Sequence, residues 1–525
     1  MKTKIDNIGQ GINKILPFLL LGLGAFLRLF LLGEVPGGLH RDETFVAWNA
    51  FALWQEGMDS AGNVWPVYLA DWGDGHSALY SWLLIPIYML AGEQNITYFV
   101  TRLPQAIMGT LTLWAVYLLL KKMFNRETGL WGLFLLAICP WHITMCRWGL
   151  DANLAPAFLM FGLYFFILGL DNKKMLLLSA IMYGLSLYSY AVIWPIVPVM
   201  LLLQIVYGLY HKKLKIDRWA IASTIILAVL ALPLLLFVYV NAVGEPIELP
   251  FMTIPVMGGY RASEMELSLP VMWQKVRRVI TLLWRQNIGA VHDILLPHGL
   301  FYDIGRVFII LGFFVFMFKM CKKVFKKEFS YEVFIFIQLF GALIVCSLVI
   351  ANLHQINCLY IPLVLLETYG VVAVIEACRR FKKVLGKVVT GVLICAYMIC
   401  LIWFQKDYYG DYRELVSTYY MEGLEEAVQF AMEEGDEIVV ERGAQWPRVL
   451  FFSRTLPSEY LEKVQIRINT EPSRFWDGEN TFYITIDYDN IDTEKVYIIY
   501  FPDKERFEKD FELTQFREWY VAVPK

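Results

Sequence analysis

Apolar runs long enough to cross a bilayer recur along this chain from Leu16 to Phe404 and then stop. A hydrocarbon layer ~30 Å thick needs about 20 apolar residues of helix. Inside it every backbone N–H and C=O must be bonded within the protein, which favours helices for such runs. The expected fold is therefore mainly α, a polytopic transmembrane helical bundle followed by a tail of another kind. Composition agrees, with 58% hydrophobic residues and only 18% charged, against the ~25% charged of soluble domains. The switch places a membrane domain at 1–404 and an acidic tail domain at 405–525.

Eleven spans are expected, near 15–33, 101–120, 128–146, 154–170, 174–190, 191–210, 218–240, 305–320, 331–351, 359–377 and 387–404. Basic clusters follow alternate spans: Lys121-Lys122 with Arg126, Lys173-Lys174, Lys212-Lys213 with Lys215, Lys322-Lys323 with Lys326-Lys327, and Arg379-Arg380 with Lys382-Lys383. Cytoplasmic loops are enriched in Lys and Arg. All five clusters share a side with the N-terminal lysines only if His76–Gly92 does not cross. That stretch is read as an interfacial helix anchored by Tyr80 and Trp82. The N-terminus is then cytoplasmic and the tail extracytoplasmic.

The tail opens with a helical pattern from Leu415 to Met432. It continues in strand-like runs at Glu437–Glu441, Thr481–Asp487 and Val496–Tyr500, which together predict a small α/β domain. The eight cysteines lie in or beside apolar segments and show no metal-ligand spacing, so they read as core residues. No cleavage site follows the first apolar run, so it is expected to remain as an uncleaved helix. A nucleic-acid-type basic surface is absent.

The outer side collects the polar residues. His40-Arg41-Asp42-Glu43 precedes an amphipathic helix over Thr44–Trp54, and a second cluster, Asp71 to His76, leads into the interfacial helix. Arg102 opens the next span, and a later turn carries His142, Arg147 and Asp151. Ionisable groups at a membrane margin point to function. A carboxylate there can deprotonate a hydroxyl that attacks an anomeric carbon, while Arg and His offset charge on a departing phosphate.

This order resembles the GT-C superfamily of polyprenyl-phosphate-sugar-dependent glycosyltransferases, in particular the family 39/83 group of protein O-mannosyltransferases and lipid A aminoarabinose transferases. The likeness rests on Asp42-Glu43, on His76-Ser77-Ala78-Leu79 at the opening of the interfacial helix, on Arg102-Leu-Pro-Gln-Ala106, and on Arg147 to Asp151. It implies a GT-C-like bundle and an inverting hexosyl- or pentosyltransferase that uses a polyprenyl-phosphate sugar. Asp42 would be the general base, with Glu43 orienting the acceptor or a cation. His76, Arg102, Arg147 and Asp151 would serve the donor phosphate. The chain departs from the family where His-Pro-Pro-Leu is His-Ser-Ala-Leu, and where His354 to Asn357 carries no arginine.

Blander readings stand beside these. Asp151 can cap the helix near Ala152, Arg147 can snorkel from a helix end, and Arg261, Arg285, His292 and His298 are loop charges that can meet a phosphate or nothing. A lipid flippase or secondary transporter is the alternative function, although such proteins place ionisable groups at mid-span. A scaffold displaying the tail leaves the acidic and basic motifs unexplained. The sugar, the acceptor (lipid, cell-envelope polymer or protein) and any need for a divalent cation are left open. No metal ligands are assigned, and the partners expected are the lipid-linked sugar and membrane lipids.

Overall fold

The computed structural model describes residues 2–71, 74–259, 268–286, 292, 294–349, 352–461, 465–466, 472–476 and 480–525, with side chains described from Lys14 onward except at 71, 74, 465–466 and 472–476. The expected Asp71–His76 cluster includes Trp72 and Gly73, which lie outside these residues, as does Arg261.

The chain is mainly helical. The membrane part comprises α1 (Lys2–Leu29), α2 (Arg41–Gln55), α3 (Leu79–Ala91), α4 (Tyr98–Met123), α5 (Arg126–Ile138), α6 (Pro140–Met145), α7 (Ala155–Gly169), α8 (Met175–Leu187), α9 (Ile196–Tyr210), α10 (Arg218–Val243), α11 (Leu269–Arg285), α12 (Asp303–Phe325), α13 (Glu332–Leu348), α14 (Tyr360–Phe381) and α15 (Lys383–Tyr409). Among the described residues, six helical stretches are long and apolar enough to cross a membrane: Tyr98–Met123, Asp151–Gly169, Arg218–Val243, Asp303–Phe325, Asn357–Phe381 and Lys383–Tyr409. The expected spans at 174–190, 191–210 and 331–351 are shorter apolar helices. The expected span at 128–146 is broken into α5 and α6, because Pro140 has no N–H to continue the ladder.

Local signals set the helix ends. Thr97, Asn125 and Asp217 accept from backbone N–H groups of the first turns of α4, α5 and α10. α12 and α14 approach closely at Gly312 and Gly370, where a Cβ on either would strike the backbone of the other helix.

Two expectations for the first outer loop change. α2 is buried on every side from Glu43 to Leu53 rather than amphipathic, because the tail covers it: Trp48 Nε1 donates to the Thr455 carbonyl at 2.8 Å. α3 has 13 residues, about 20 Å of helix, and Tyr80 is not an interface anchor. Its hydroxyl is buried and donates to the Thr101 carbonyl at 2.9 Å. Trp82 is half-buried against Tyr188.

α15 runs on to Tyr409, a turn past the composition shift at 405. The expected helix over Leu415–Met432 is two, α16 (Tyr412–Tyr420) and α17 (Leu424–Glu434). They part at Gly423, whose φ of 91° and tight approach to the Phe516 carbonyl admit no side chain. α18 (Trp446–Ser453) follows, with α19 (Pro457–Tyr460) after it. Hairpins β1 (Tyr68–Asp71) with β2 (Asp74–Ser77) and β3 (Ile247–Leu249) with β4 (Met252–Ile254) lie between α2 and α3 and between α10 and α11. The tail sheet contains β5 (Glu437–Val440), β6 (Gln465–Ile466), β7 (Pro472–Trp476), β8 (Thr481–Tyr483), β9 (Val496–Tyr500), β10 (Phe511–Phe516) and β11 (Trp519–Pro524). Their order is β10-β11-β9-β5-β8-β7-β6, with β5 parallel to β8 and β9. The apolar interior of α17 and α18 is continuous with that of the membrane helices.

Candidate active site

The site is built on the first turn of α2. His40 is its N-cap: the imidazole Nδ1 accepts from Asp42 N–H, and Glu43 Oε2 accepts from His40 N–H at 3.0 Å. This capping box sends the neighbouring carboxylates in different directions. Glu43 is wholly buried. Its Oε1 accepts from Arg102 Nε at 2.9 Å and Gly149 N–H at 2.7 Å, and its Oε2 also accepts from Arg102 at 3.0 Å. With four donors on it, Glu43 holds Arg102 and ties the His40, Arg102 and Gly149 segments together. Asp42 keeps 21% of its side chain exposed, with His40 Nδ1 at 3.8 Å and Arg41 Nε at 3.9 Å.

Arg102 and Arg147 have a different geometry from the open phosphate ligands the sequence suggests. Arg102 gives its remaining N–H groups to the carbonyls of Leu32, Pro36 and Gly38. Arg147 donates to the carbonyls of Leu27, Arg28, Phe30, Leu31 and Val35 and to the Tyr408 hydroxyl. Both are fully buried, and every guanidinium nitrogen has a protein acceptor. They clasp the segment that joins α1 to α2, and so set the position of Asp42. Arg28, deeper in the bundle, is held by carbonyls of Gly24, Leu136 and Ala137 and by His142, which keeps His142 in the interior.

The second carboxylate site does converge on the first. His76 lies on β2 with Nδ1 3.7 Å from Asp151 Oδ2, and its ring packs on Phe45 of α2 at 4.8 Å. Asp151 also accepts from the N–H groups of Ser77 and Ala152 and is almost wholly buried. Its bond to Ala152 is to the next residue, so it does not act as a helix N-cap.

Trp148 is the centre of a ring cluster that sequence reasoning missed. Its indole meets His40 edge-on at 4.9 Å, His292 and His354 each at 5.8 Å, and Tyr420 at 6.4 Å. His292 stacks on His40 at 5.5 Å and touches Tyr419. The turn bearing Trp148 is tied to the His354 segment by Asn357, whose amide donates to Asn153 Oδ1 and the Ala152 carbonyl. Tyr419, Tyr420 and the buried Arg448, which donates to the Leu39 carbonyl, all come from the tail. No motif marked them, since more than 350 residues separate them from Asp42. Of the remaining loop cations, His298 pairs with Asp407 at 2.7 Å and Arg285 is exposed at the end of α11.

Charge follows this geometry. Burial pushes the Asp42 carboxyl up, but His40, His76, Arg41 and His354 outweigh it and hold it well below the usual carboxylate range. Burial, with Arg448 and His292 nearby, lowers His40 to about 4 against the pull of Asp42. The half-buried Asp42 carboxylate is therefore ionised at neutral pH. Among the described residues no three His, Cys, Asp or Glu side chains are grouped to hold a metal ion.

Comparison with known proteins agrees with this architecture. A family model described as dolichyl-phosphate-mannose-protein mannosyltransferase matches residues 75–237. No curated protein matches the chain by sequence. ArnT from Cupriavidus metallidurans in the apo state superposes with a TM-score of 0.53 at 9% identity, covering 98% of each chain. The same protein bound to undecaprenyl phosphate gives 0.54 at 10% identity, over 96% of this chain and 97% of that one. The Archaeoglobus fulgidus oligosaccharyltransferase tethered to an acceptor peptide gives 0.50 at 11% identity, covering 93% of this chain and 69% of its own. The chain shares the fold of these proteins and resembles the GT-C superfamily of glycosyltransferases.

Proposed function

We propose that this protein is an inverting membrane glycosyltransferase that moves a sugar from a polyprenyl-phosphate donor to an acceptor hydroxyl, with Asp42 as general base. The observation that carries the reading is the division of labour among three carboxylates. Asp42 is ionised with a fifth of its side chain exposed, whereas Glu43 and Asp151 are 0% and 5% exposed and bonded within the protein. An acceptor hydroxyl approaching Asp42 gives its proton to the carboxylate as its oxygen attacks the anomeric carbon. The bond from that carbon to the phosphate oxygen breaks with inversion, and its electron pair leaves on the polyprenyl phosphate.

Arg41 and His76, with side chains 33% and 14% exposed beside Asp42 and Asp151, are the groups we assign to the departing phosphate. Glu43, Arg102 and Arg147 act as positioning residues. The resemblance to proteins described with undecaprenyl phosphate and with mannosyl transfer supports the donor class. The acceptor faces the extracytoplasmic side if the five basic clusters are cytoplasmic. Residues 1–404 then form the membrane domain and 405–525 an extracytoplasmic unit.

Incubating the purified protein with a panel of polyprenyl-phosphate hexoses and pentoses, and measuring released polyprenyl phosphate, tests the activity. No release with any of them, from folded protein and with acceptor lipids and peptides present, would refute it. Labelling single cysteines at Lys122 and Glu433 tests the topology, with opposite sides expected.

A further inference from the structure

At the end of the bundle away from Asp42, α1, α4 and α5 enclose a cavity of ≈ 570 Å³ lined by Lys14, Lys121 and Arg126 above Phe18, Trp114 and Tyr117. Arg102 marks the site end of α4, and Lys121 lies about 28 Å further along the helix axis. The cavity has two kinds of wall. Its aromatic floor is continuous, with Phe18 on Trp114 at 5.3 Å and Trp114 on Tyr117 at 5.0 Å. Lys121 sits over the Tyr117 ring at 5.7 Å. Phe18 is 60% exposed, so the floor opens sideways to the hydrocarbon. Among the described residues no carboxylate lines it, while Lys122 and Glu127 pair elsewhere, with Asp171 and Arg379.

Lys14 and Lys121 at the rim of an apolar groove between membrane helices match an anionic headgroup with its acyl chains below. We propose that this cavity is a binding site for an anionic bilayer phospholipid, in the leaflet opposite the one where the sugar is transferred. The position selects a bilayer lipid over the lipid-linked donor, whose phosphate must lie beside Asp42 to react. The choice of a bilayer lipid over the donor rests on the proposed catalytic reading, whereas the lipid-binding measurement below does not depend on activity.

Full-length protein, delipidated in detergent, is titrated with phosphatidylglycerol or phosphatidylcholine, and bound lipid is counted by native mass spectrometry. Phosphatidylglycerol is expected to bind the tighter of the two. Lys121→Gln and Lys14→Gln should each weaken it about fivefold, with phosphatidylcholine unaffected. Lys121→Arg should retain binding, and Lys326→Gln with Lys327→Gln, at the same end but outside the cavity, should leave it unchanged. Melting temperatures confirm that each variant is folded, and Lys14, an exposed side chain, decides the matter if Lys121→Gln does not fold. Equal binding of both lipids, unchanged affinity in the glutamine variants, an equal loss in the Lys326 and Lys327 control, or displacement of phosphatidylglycerol by polyprenyl phosphate at equal concentration would each overturn the proposal.

Discussion

Arg102 and Glu43 meet as a fully buried, two-point ion pair, Nε to Oε1 at 2.9 Å and the second guanidinium contact to Oε2 at 3.0 Å. The pair is embedded in other bonds, since Glu43 also holds the N–H groups of His40 and Gly149 and Arg102 holds three carbonyls. Its role is to fix the start of α2, and through it the carboxylate next door. Removing one member of a buried pair leaves an uncompensated charge, at a cost of about 3–5 kcal/mol. Arg102→Ala and Glu43→Gln are therefore expected to lower the melting temperature strongly. Arg102→Lys should also destabilise, because an ammonium cannot reproduce the fork. Thermal melting together with the donor KM of the folded fraction checks this, and an unchanged melting temperature with a raised KM would return Arg102 to the phosphate.

Asp42→Asn keeps the size of the side chain and removes its basicity. It should leave melting and donor binding near wild type while lowering kcat by ~10²–10⁴. Steady-state release of polyprenyl phosphate measures it. Near-normal turnover would leave the base unassigned, because Glu43 and Asp151 are both closed off by their own partners.

Arg147 and Tyr408 test the clasp on the segment after α1. Tyr408→Phe deletes one hydrogen bond, at 3.1 Å to Nε, and should cost about 1 kcal/mol. Arg147→Ala strands five carbonyl acceptors at once and should cost several times more, with kcat falling as Asp42 loses its position. Denaturant unfolding of the two variants is the measurement, and equal small losses would mean that the segment holds its shape without the guanidinium.

The pH dependence of stability separates His40 from Asp42. His40 is lowered by burial to about 4 from an unfolded value of ~6.5, so between those values the unfolded chain binds the extra proton. Stability then rises with pH across that window and falls on acidification through it. Asp42 is depressed instead, so its contribution is present above the ordinary carboxylate pKa and is lost only in strong acid. His40→Gln should flatten the melting temperature between about pH 6.5 and pH 4. A slope equal to that of the wild type would assign the proton to another imidazole.

Helices were legible from the sequence because burial in hydrocarbon leaves a long apolar run few other structures. The tail strands at Glu437 and Val496 were legible for a similar reason, as short β-rich runs. The Leu415–Met432 helix was not, because Met421 and Gly423, both at positive φ, outweighed the periodicity around them.

Residue order by itself determined that Asp42 and Glu43 would stand together at the head of a helix, and that Arg102, Arg147, Asp151 and His76 would gather toward the same end of the bundle. It could not say which of these groups would stay open. Burial and the saturation of hydrogen bonds are properties of the packed chain: whether a guanidinium meets a ligand or a ring of carbonyls depends on the path of residues 30–38 around it. Only the tertiary structure drew Trp148 and His292 against His40 and His354 against Trp148, and brought Tyr420 and Arg448 from the far end of the chain to the same corner. Contacts across hundreds of residues leave no local pattern to read, because neither partner needs a distinctive neighbour in sequence for the two to meet in space.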